Sequence, residues 1–403
     1  MHDATRRSFL WQTAGGVAAA MAKPALKITS VKAAPLPVRG GVAARNPSTA
    51  RRVLSDFEPA RWRQFGPFSQ LAGAILVQIR TDQGITGYGM GGGGGAAVYI
   101  IEHHLSDLLV GTNPLNIELL WDQMFASTSF YGRRGLAIMA ISGIDLALWD
   151  IAGKIAGLPV YRLLGGPTKE KVPAYYTGND VEQGLKLGFR GVKISNFNDA
   201  RGGKDGLRRD AERILAARKT LGPEPLLMVD ALCAWDVPYT LELAERVAEA
   251  GLYFIEEPLL PDDIDGYTQL CHDLRGTRIA SGEHEATRFG FQQLIRNKAV
   301  HVLQPDVSWS GGLTECRRIA QLGAAHGLPV LPHRGGSVYG MSLILSSNGP
   351  SMAESFGTGS SANELMELLT PKYEAGFYYP FEAPGFGVEF KAGVLKAYAP
   401  GLL

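Results

Sequence analysis

The chain has 403 residues, with 40 lysine and arginine residues against 39 aspartate and glutamate residues, so its net charge at pH 7 is +1. The length predicts two domains rather than one. The balanced charge, without a basic stripe interleaved with aromatic residues, excludes the usual pattern of a nucleic-acid-binding protein. No run of about 18 apolar residues occurs, so we expect no membrane span.

The N-terminal segment TRRSFLWQTAGGVAAAMA resembles a twin-arginine export signal. Arg6 and Arg7 precede a weakly apolar stretch that ends in Ala20-Met21-Ala22, which fits an A-x-A cleavage site. We therefore expect residues 1–22 to direct export to the periplasm and to lie outside the fold. The alternative is an ordinary start of a cytoplasmic protein.

Residues 23–166 are expected to form an α+β capping domain. The run GAILVQIRTDQGITGYG predicts a hairpin that turns at Asp82-Gln83-Gly84. A polar segment from Gly40 to Phe68 precedes it and is long enough to be a functional or flexible loop. Helical patterns follow from Ala96 to about Ala126 and from Leu136 to Ile155.

Five consecutive glycines, Gly91 to Gly95, lie between the hairpin and these helices. The phosphate-binding pattern GxxxxGK[ST] is absent here. We interpret the run as a hinge or a loop that approaches another part of the backbone closely, which glycine permits.

Residues 167–364 alternate between short β-rich runs and helical segments. The β-rich runs are VPAYYT, GVKIS, LLMVD, LYFIEEP, RIASGE, VHVLQPD, LPVLPH and SMAESF. This alternation predicts parallel strands joined by helices, and eight such strands close into a barrel. Residues 365–403 lose the alternation and are expected to pack back on the first domain.

Polar residues end successive predicted strands at intervals of 26, 27, 23, 27 and 21 residues, each about one strand–helix unit. We expect them to lie around one mouth, at the C-terminal ends of the strands, where barrel enzymes carry their active sites. They are Asp230, Glu256, Glu283, Asp306, His333 and Glu354.

The first three of these residues offer only carboxylate oxygens, which favours Mg²⁺, or Mn²⁺, over zinc. The alternative is that each acid caps a helix or binds a loop lysine. Glu256 and Glu257 are adjacent and must face opposite sides of the strand. We choose Glu256 as the ligand, although the pattern leaves the choice open. Asp306 and His333 follow successive strands, so the carboxylate can orient the imidazole and raise its basicity.

The three cysteines are widely spaced and odd in number, which argues against a disulfide framework. We interpret Cys233, Cys271 and Cys316 as packed thiols.

Several motifs together resemble the enolase superfamily, in its mandelate racemase subgroup: MVDAL, FIEEPL, ASGEHE, VLQPDVSWSGGLTE, PVLPH, DLALWDIAGK and PGFGVEF. The resemblance covers nearly everything after residue 22. It implies a (β/α)7β TIM-like barrel with an N-terminal α+β capping domain that the C-terminal segment completes. It also implies roles for matching positions: Mg²⁺ ligands Asp230, Glu256 and Glu283, acid–base residue His333 oriented by Asp306, and substrate- or enolate-binding residue Glu354.

The second predicted strand bears on the reaction. Racemases of this subgroup carry a Lys-x-Lys pair there, whose second lysine acts as a base. In GVKIS, Lys193 matches the first lysine and Ser195 takes the place of the second. Serine cannot act as that base without an activating partner, which disfavours racemisation by two bases.

Within the superfamily, QPDVSWSGGLT, SGEH and SVYG resemble the L-rhamnonate dehydratase family of acid-sugar dehydratases. The resemblance implies removal of the α-proton, loss of the β-hydroxyl and a 2-keto-3-deoxy sugar acid as product. We expect a small-molecule sugar acid as substrate and a homo-oligomeric enzyme.

Two departures concern the substrate. The stretch GGVAARNPSTARRVL lacks the histidine that this family places in its N-terminal loop, and HRGGSVYG is one residue longer than the family's counterpart. A guanidinium suits a carboxylate or diol, so Arg63, and after it Arg61, is the expected substrate-binding arginine. His284 and Arg334 are further candidates.

Two alternatives to a dehydratase follow from the same residues. One is a one-base epimerase or another lyase of the superfamily. The other is a non-catalytic sugar-acid-binding protein, which the export signal would suit but which would not need a complete acid–base pair beside three metal ligands.

Overall fold

The structure, a computed structural model of the chain, describes residues 26–36, 73–195, 197–357 and 368–403. The expected export signal at residues 1–22 and the whole polar loop from Gly40 to Phe68 lie outside these residues.

Three antiparallel strands form a first sheet in the order β1-β2-β3: β1 (Ile28–Pro35), β2 (Ile75–Thr81) and β3 (Thr86–Gly91). The predicted hairpin is confirmed, since β2 and β3 pair up to Arg80 and Thr86. Gly84 takes a φ of 77° in the turn, a conformation that costs glycine little.

The helices that follow are α1 (Gly94–Ile100), α2 (Ser106–Leu109), α3 (Ile117–Thr128), α4 (Leu136–Ala156) and α5 (Val160–Leu163), with a π-helical turn (Ile101–Leu105) between α1 and α2. The helical structure predicted from Ala96 to about Ala126 is present but interrupted between Leu109 and Ile117. The chain leaves the helix at Val110, Gly111 has a φ of 86°, and Pro114 lacks the amide hydrogen that a helix interior requires.

The long helix α4 lies directly on the backbone of β3. A Cβ atom at Gly89 would collide with the carbonyl oxygen of Gly143, and one at Gly87 with that of Ala147. The alternating glycines of β3 therefore permit this close approach. Within the described residues, α4 is also the one helix long and apolar enough to cross a membrane, but most of it is buried inside the fold.

The second part of the chain forms a parallel barrel. Its strands are β4 (Val172–Thr177), β5 (Gly191–Ile194), β6 (Leu226–Asp230), β7 (Leu252–Glu256), β8 (Arg278–Ser281), β9 (Val302–Leu303) and β10 (Ala353–Ser355). Strands β4 to β9 pair in sequence order, and β10 pairs with β4, which closes the barrel. The remaining strand position, between β9 and β10 in the chain, is taken by residues 330–333. Two isolated bridges join this segment to the β9 region, Leu303 to Val330 and Asp306 to His333.

Seven helices connect these eight positions: α6 (Val181–Lys186), α7 (Gly203–Leu221), α8 (Val237–Arg246), α9 (Ile264–Asp273), α10 (Thr287–Arg296), α11 (Gly312–Ala325) and α12 (Val338–Leu345). The expected (β/α)7β architecture is therefore confirmed. The runs VHVLQPD and LPVLPH are shorter as strands than their patterns predict. Pro305, Pro329 and Pro332 interrupt them, because proline donates no hydrogen bond to a ladder.

The barrel interior is filled by one buried side chain from each of six strand positions, a packed core rather than a pore. They are Tyr175, Met228, Phe254, Ala280, Val302 and Leu331.

The C-terminal part of the chain contacts both sheets. A hairpin of β11 (Tyr373–Glu374) and β12 (Phe377–Tyr378) pairs with β4 of the barrel. After α13 (Ala392–Tyr398), the carbonyl oxygen of Leu402 accepts hydrogen bonds from Gln78 (3.2 Å) and Arg80 (3.4 Å) of β2. The segment thus reaches the first sheet, as expected, and also extends the barrel sheet, which the sequence did not indicate.

Helices α3 and α4 form hydrogen bonds with the start of α11 and with Gly311, which precedes it. Trp121 Nε1 donates to the carbonyl of Gly311 (2.6 Å), whose own N–H donates to Ser142 Oγ (2.9 Å). The amide and hydroxyl of Thr314 both donate to the carboxylate of Asp145 (3.0 and 2.5 Å). Burial raises the pKa of Asp145 to about 7, although the bonds from Thr314 oppose this shift.

Candidate active site

The strand ends meet around one mouth of the barrel. Asp230 and Glu256 are register partners on β6 and β7, and Asp306 and His333 are joined by a parallel bridge. Side-chain contacts add the remaining two. The structure therefore brings together all six residues that the strand spacing selected: Asp230, Glu256, Glu283, Asp306, His333 and Glu354.

Lys193 lies at the centre of the acidic cluster. Its Nζ is 2.7 Å from both oxygens of Glu256, 2.7 Å from Oε1 of Glu354 and 4.0 Å from Oδ2 of Asp230. Burial alone would lower the pKa of this lysine, but the carboxylates of Glu256 and Glu354 raise it well above its ordinary value. The ammonium is therefore a fixed positive charge at the mouth.

The predicted ligands Asp230, Glu256 and Glu283 provide oxygen donors only. Burial raises the pKa of Asp230 to about 7 and that of Glu256 well above its ordinary value, although Lys193 opposes both shifts. Among the described residues, the Lys193 ammonium lies within 4.0 Å of three mouth carboxylates, those of Asp230, Glu256 and Glu354, while the fourth, Glu283, lies near His333 and His284. This excess of buried negative charge, on hard oxygen donors, fits a divalent cation such as Mg²⁺.

A different trio has the most compact set of potential ligand atoms. In the described part of the chain, the ligand atoms of Cys233, Glu257 and His284 lie within 4.8 Å of one another. Glu256 is not part of this compact trio, because both of its oxygens accept hydrogen bonds from Lys193 and one also accepts from Gln304 Nε2 (2.5 Å).

The imidazole of His333 is held by Asp306. Its Nδ1 lies 2.7 Å from Asp306 Oδ2, while Oδ1 of Asp306 accepts bonds from the amide (2.7 Å) and hydroxyl (2.5 Å) of Ser308. Burial would raise the pKa of Asp306, but the hydrogen bond from His333 and its charge lower it. Burial would lower the pKa of His333, but Glu283 and Glu354 raise it. The Nε2 atom lies 3.5 Å from Glu283 and 3.9 Å from Glu354, so it faces the mouth.

Both oxygens of Glu354 have donors. Oε1 accepts from Thr177 Oγ1 (2.6 Å) and Lys193 (2.7 Å), and Oε2 accepts from the amide of Arg334 (2.9 Å). Burial would raise the pKa of Glu354, but Lys193 and then His333 lower it to about 2. This carboxylate is therefore ionised at neutral pH.

Glu257 faces away from the acidic cluster. Its Oε2 lies 2.7 Å from Nδ1 of His284 and 3.4 Å from Sγ of Cys233. The charge of Glu257 is the largest cause that raises the pKa of His284 to about 10, and burial opposes it. Glu256 faces Lys193 at the mouth, and its assignment as a Mg²⁺ ligand stays a prediction. The three cysteines, all of them described, form no disulfide.

An aromatic and a cationic side chain line the other side of His333. The Trp309 ring is 5.3 Å from the His333 ring, and the guanidinium of Arg334 lies 4.9 Å from the Trp309 centroid. Gly92 of the glycine run lies against the same indole, since a Cβ there would be 2.8 Å from Trp309 Nε1. This supports close approach as one role of the run. A cavity of about 400 Å³ adjoins His333, Arg334 and Glu354.

Two predicted substrate-binding residues, Arg61 and Arg63, lie outside the described residues. Four residues at the site were not predicted from the sequence: Thr177, Glu257 as a partner of His284, Gln304 and Trp309. Thr177 ends a predicted strand, and Gln304 is two residues before Asp306, hence on the same side of an extended chain. Strand-end position therefore offered a signal for these two, whereas nothing in the sequence pairs Glu257 with His284.

Comparisons with known proteins agree with this geometry. Residues 178–394 match the family model described as enolase C-terminal domain-like. Residues 67–165 match the model described as mandelate racemase / muconate lactonizing enzyme, N-terminal domain.

Two curated relatives match over 329 residues, 80% of this chain. A candidate L-rhamnonate dehydratase from Caldivirga maquilingensis is 39% identical, with 82% of that protein covered. The L-rhamnonate dehydratase from Saccharopolyspora erythraea is 37% identical, with 84% covered. The crystal structure of rhamnonate dehydratase from Gibberella zeae complexed with Mg has a TM-score of 0.84 and 32% identity, and the match covers 94% of this chain and 97% of that one.

Proposed function

Because the chain belongs to the enolase superfamily, we propose that it is a Mg²⁺-dependent dehydratase of sugar acids. Such an enzyme is a carbon–oxygen lyase of the hydro-lyase type. The relatives named L-rhamnonate dehydratase, and the Mg complex of one solved structure, support this class of reaction for this chain.

The observation that carries the proposal is the orientation of His333. With Nδ1 bonded to Asp306 at 2.7 Å, its Nε2 faces the mouth beside Glu283 and Glu354. A carboxylate that holds one ring nitrogen fixes the tautomer and leaves the other nitrogen to exchange protons.

The proposed reaction uses this nitrogen twice. His333 Nε2 takes the proton on the carbon α to the substrate carboxylate, and the electron pair of that C–H bond forms the enolate. The C–O bond to the β-hydroxyl then breaks, and the departing oxygen takes the proton from His333 and leaves as water. The resulting enol tautomerises to a 2-keto-3-deoxy sugar acid, so the net change is the loss of one water.

Removal of the α-proton places a second negative charge next to a carboxylate, which requires fixed positive charge. Asp230, Glu256 and Glu283 would hold Mg²⁺, which when bound would neutralise charge on the substrate carboxylate. Lys193, whose ammonium is held at 2.7 Å from Glu256 and Glu354, supplies a permanent cation from the chain itself. Glu354, which is ionised in the free enzyme, would accept a hydrogen bond from the substrate carboxylate or the enolate oxygen once that oxygen carries a proton.

Ser195 favours dehydration over two-base racemisation. Its amide donates to Asn179 Oδ1 (2.9 Å) and its carbonyl accepts from Arg213 (2.5 Å). By the resemblance, Ser195 takes the position of the second lysine, so no lysine base is supplied there.

A panel of mono- and diacid sugars that includes L-rhamnonate tests the proposal. Each acid is incubated with enzyme and Mg²⁺, and keto product is detected as its semicarbazone, with His333→Asn as the inactive control. We expect a semicarbazone from at least one acid. Epimerised acid without keto product would indicate a one-base epimerase, and binding without α-proton exchange in D₂O would indicate a non-catalytic binding protein.

A further inference from the structure

Two imidazole–carboxylate pairs face each other across Glu283. His333 Nε2 is 3.5 Å from Oε2 of Glu283, and His284 Nε2 is 3.7 Å from Oε1 of the same carboxylate. Each histidine is held through Nδ1 at 2.7 Å by a buried carboxylate, Asp306 for His333 and Glu257 for His284. The proposed reaction uses the first pair and leaves the second without a role.

The carboxylate of the second pair is held in place by its surroundings. The amide of Glu257 donates to the carbonyl of Ala280 (3.0 Å), and its own carbonyl accepts from the amide of Cys233 (2.7 Å). Its side chain is 1% exposed, and Cys233 Sγ lies 3.4 Å from the oxygen that binds His284. Glu257 also has a φ of 39°, which costs a residue with a side chain free energy that the fold must offset.

The imidazole of the second pair is the more accessible one. The side chain of His284 is 38% exposed, against 8% for His333. Its ring lies 6.1 Å from that of Trp309, which also flanks His333. His284 therefore presents Nε2 to the same mouth from the opposite side of Glu283, nearer to solvent.

We propose that Glu257 is a positioning residue that fixes the His284 ring, so that His284 Nε2 binds a hydroxyl group of the sugar acid. The inference rests on the proposed function and extends it, since it assigns binding to one imidazole and proton transfer to the other. A sugar hydroxyl both donates and accepts hydrogen bonds, so it can bond to Nε2 in either protonation state of the ring. The hydrogen bond between Nδ1 and Glu257 fixes the orientation of the ring and therefore the direction in which Nε2 points.

The test compares Glu257→Met, which removes the acceptor, with Glu257→Gln, whose amide oxygen can still accept from Nδ1. Steady-state kinetics on L-rhamnonate, or on the best acid of the panel, are measured for both and for His284→Asn. We expect Glu257→Met and His284→Asn each to raise KM roughly 10- to 100-fold, because each removes or misdirects a hydrogen bond to the substrate. Their kcat should fall only a few-fold, and Glu257→Gln should keep most of the wild-type KM.

A double variant separates positioning from a general structural effect. If Glu257 acts through His284, Glu257→Met should add nothing to KM when His284 is already Asn. Mg²⁺ affinity and melting temperature should match the wild type. His272→Asn, which removes an exposed histidine bonded to Asp273, is the matched control and should leave KM unchanged.

Three results would overturn the inference: additive effects in the double variant, an equal loss in Glu257→Gln and Glu257→Met, or a fall in kcat at unchanged KM. Calorimetric titration with the same acid keeps the test independent of turnover. The acid could bind the wild type more tightly than both Glu257→Met and His284→Asn while no acid of the panel is turned over. That result would refute the proposed dehydratase activity but support the positioning role of Glu257.

Discussion

Asp306 and His333 are joined twice, by a parallel backbone bridge and by a 2.7 Å hydrogen bond between Oδ2 and Nδ1. The bridge lies where the barrel has its shortest strand ladder, so the catalytic pair also forms part of the barrel closure. The backbone sets the spacing of the two side chains, and a substitution in either one should change chemistry more than fold.

We expect His333→Asn to abolish both dehydration and α-proton exchange in D₂O, because one nitrogen performs both steps. Asp306→Asn should slow turnover by roughly 10²–10⁴-fold, the share that oriented acid–base catalysis contributes, with Mg²⁺ affinity unchanged. Exchange is followed by NMR and turnover by keto product. A His333→Asn enzyme that still exchanges the α-proton would mean that another base, such as Lys193, is present.

Asp230→Asn, Glu256→Gln and Glu283→Gln should each weaken Mg²⁺ binding and abolish turnover, since each removes an anionic oxygen ligand. Calorimetric titration of Mg²⁺ into EDTA-treated protein measures the loss. Asp210→Asn replaces a buried acid outside the mouth, bonded to Asn198 and Tyr239, and serves as the control. Wild-type Mg²⁺ affinity in all three mouth variants would refute the assignment of the ligands.

Ser195→Ala should change kcat/KM by less than about threefold, a fraction of the 1.36 kcal/mol that a tenfold change represents. The hydroxyl has no step in the proposed reaction. Kinetics on the best acid of the panel decide this. A loss comparable with that of His333→Asn would assign Ser195 a direct chemical role.

Asp145 should make stability depend on pH. Its pKa is about 7 in the folded chain against an ordinary 3.8, because of burial. The folded state therefore binds the proton more tightly, so the contribution to stability is full below pH 3.8 and is lost as pH rises through 7. Between pH 5 and 7 this group alone should lower the free energy of unfolding by about 2 kcal/mol.

Asp145→Asn is the comparison for this effect, because an amide does not titrate and can still bond to Thr314. Urea unfolding at pH 5, 6, 7 and 8 is measured for both proteins. The difference in unfolding free energy between wild type and variant should fall as pH rises. A difference independent of pH would show that Asp145 does not take up a proton in this range.

We propose that Arg6-Arg7 and Ala20-Met21-Ala22 belong to a cleaved export signal. A chain that begins at Lys23 should then keep the melting temperature and activity of the full chain. Residues 1–22 fused to a reporter should carry it to the periplasm, and replacement of Arg6 and Arg7 by lysine should retain it in the cytoplasm. Loss of activity from the shortened chain would place the segment within the fold.

The sequence predicted the superfamily, the barrel and the residues that converge at its mouth. Charged residues at intervals of one strand–helix unit must lie at neighbouring strand ends, which is why Asp230, Glu256 and His333 could be selected. Thr177 and Gln304 carry no charge and were not distinguished from ordinary strand residues. Their importance depends on what faces them, Glu354 and Glu256, respectively.

Contacts between distant segments were the least predictable part. The pairing of Glu257 with His284 depends on a left-handed backbone at Glu257, which no local pattern indicates. The bond that Thr314, in the first turn of α11, donates to Asp145 spans 169 residues, and the bond that Trp121 donates to Gly311, just before α11, spans 190. Strand β9 is short because the prolines near it cannot donate hydrogen bonds to the sheet. The apolar pattern of VHVLQPD predicted a longer strand.

Side chains of α3 and α4 form hydrogen bonds with residues 311–314. These bonds limit how two related enzymes can be joined into one chimeric chain. Residues 311–314 follow closely after Asp306 and Trp309, so we expect the geometry of the acid–base pair to respond to changes at Trp121, Ser142 and Asp145 in the other half of the chain. In a chimera joined between α5 and β4, one parent would supply Trp121, Ser142 and Asp145, and the other would supply the residues at 311–314 that bond to them. Activity should survive such a crossover only where both parents match at these contacts, so the two halves are expected to evolve as one linked unit.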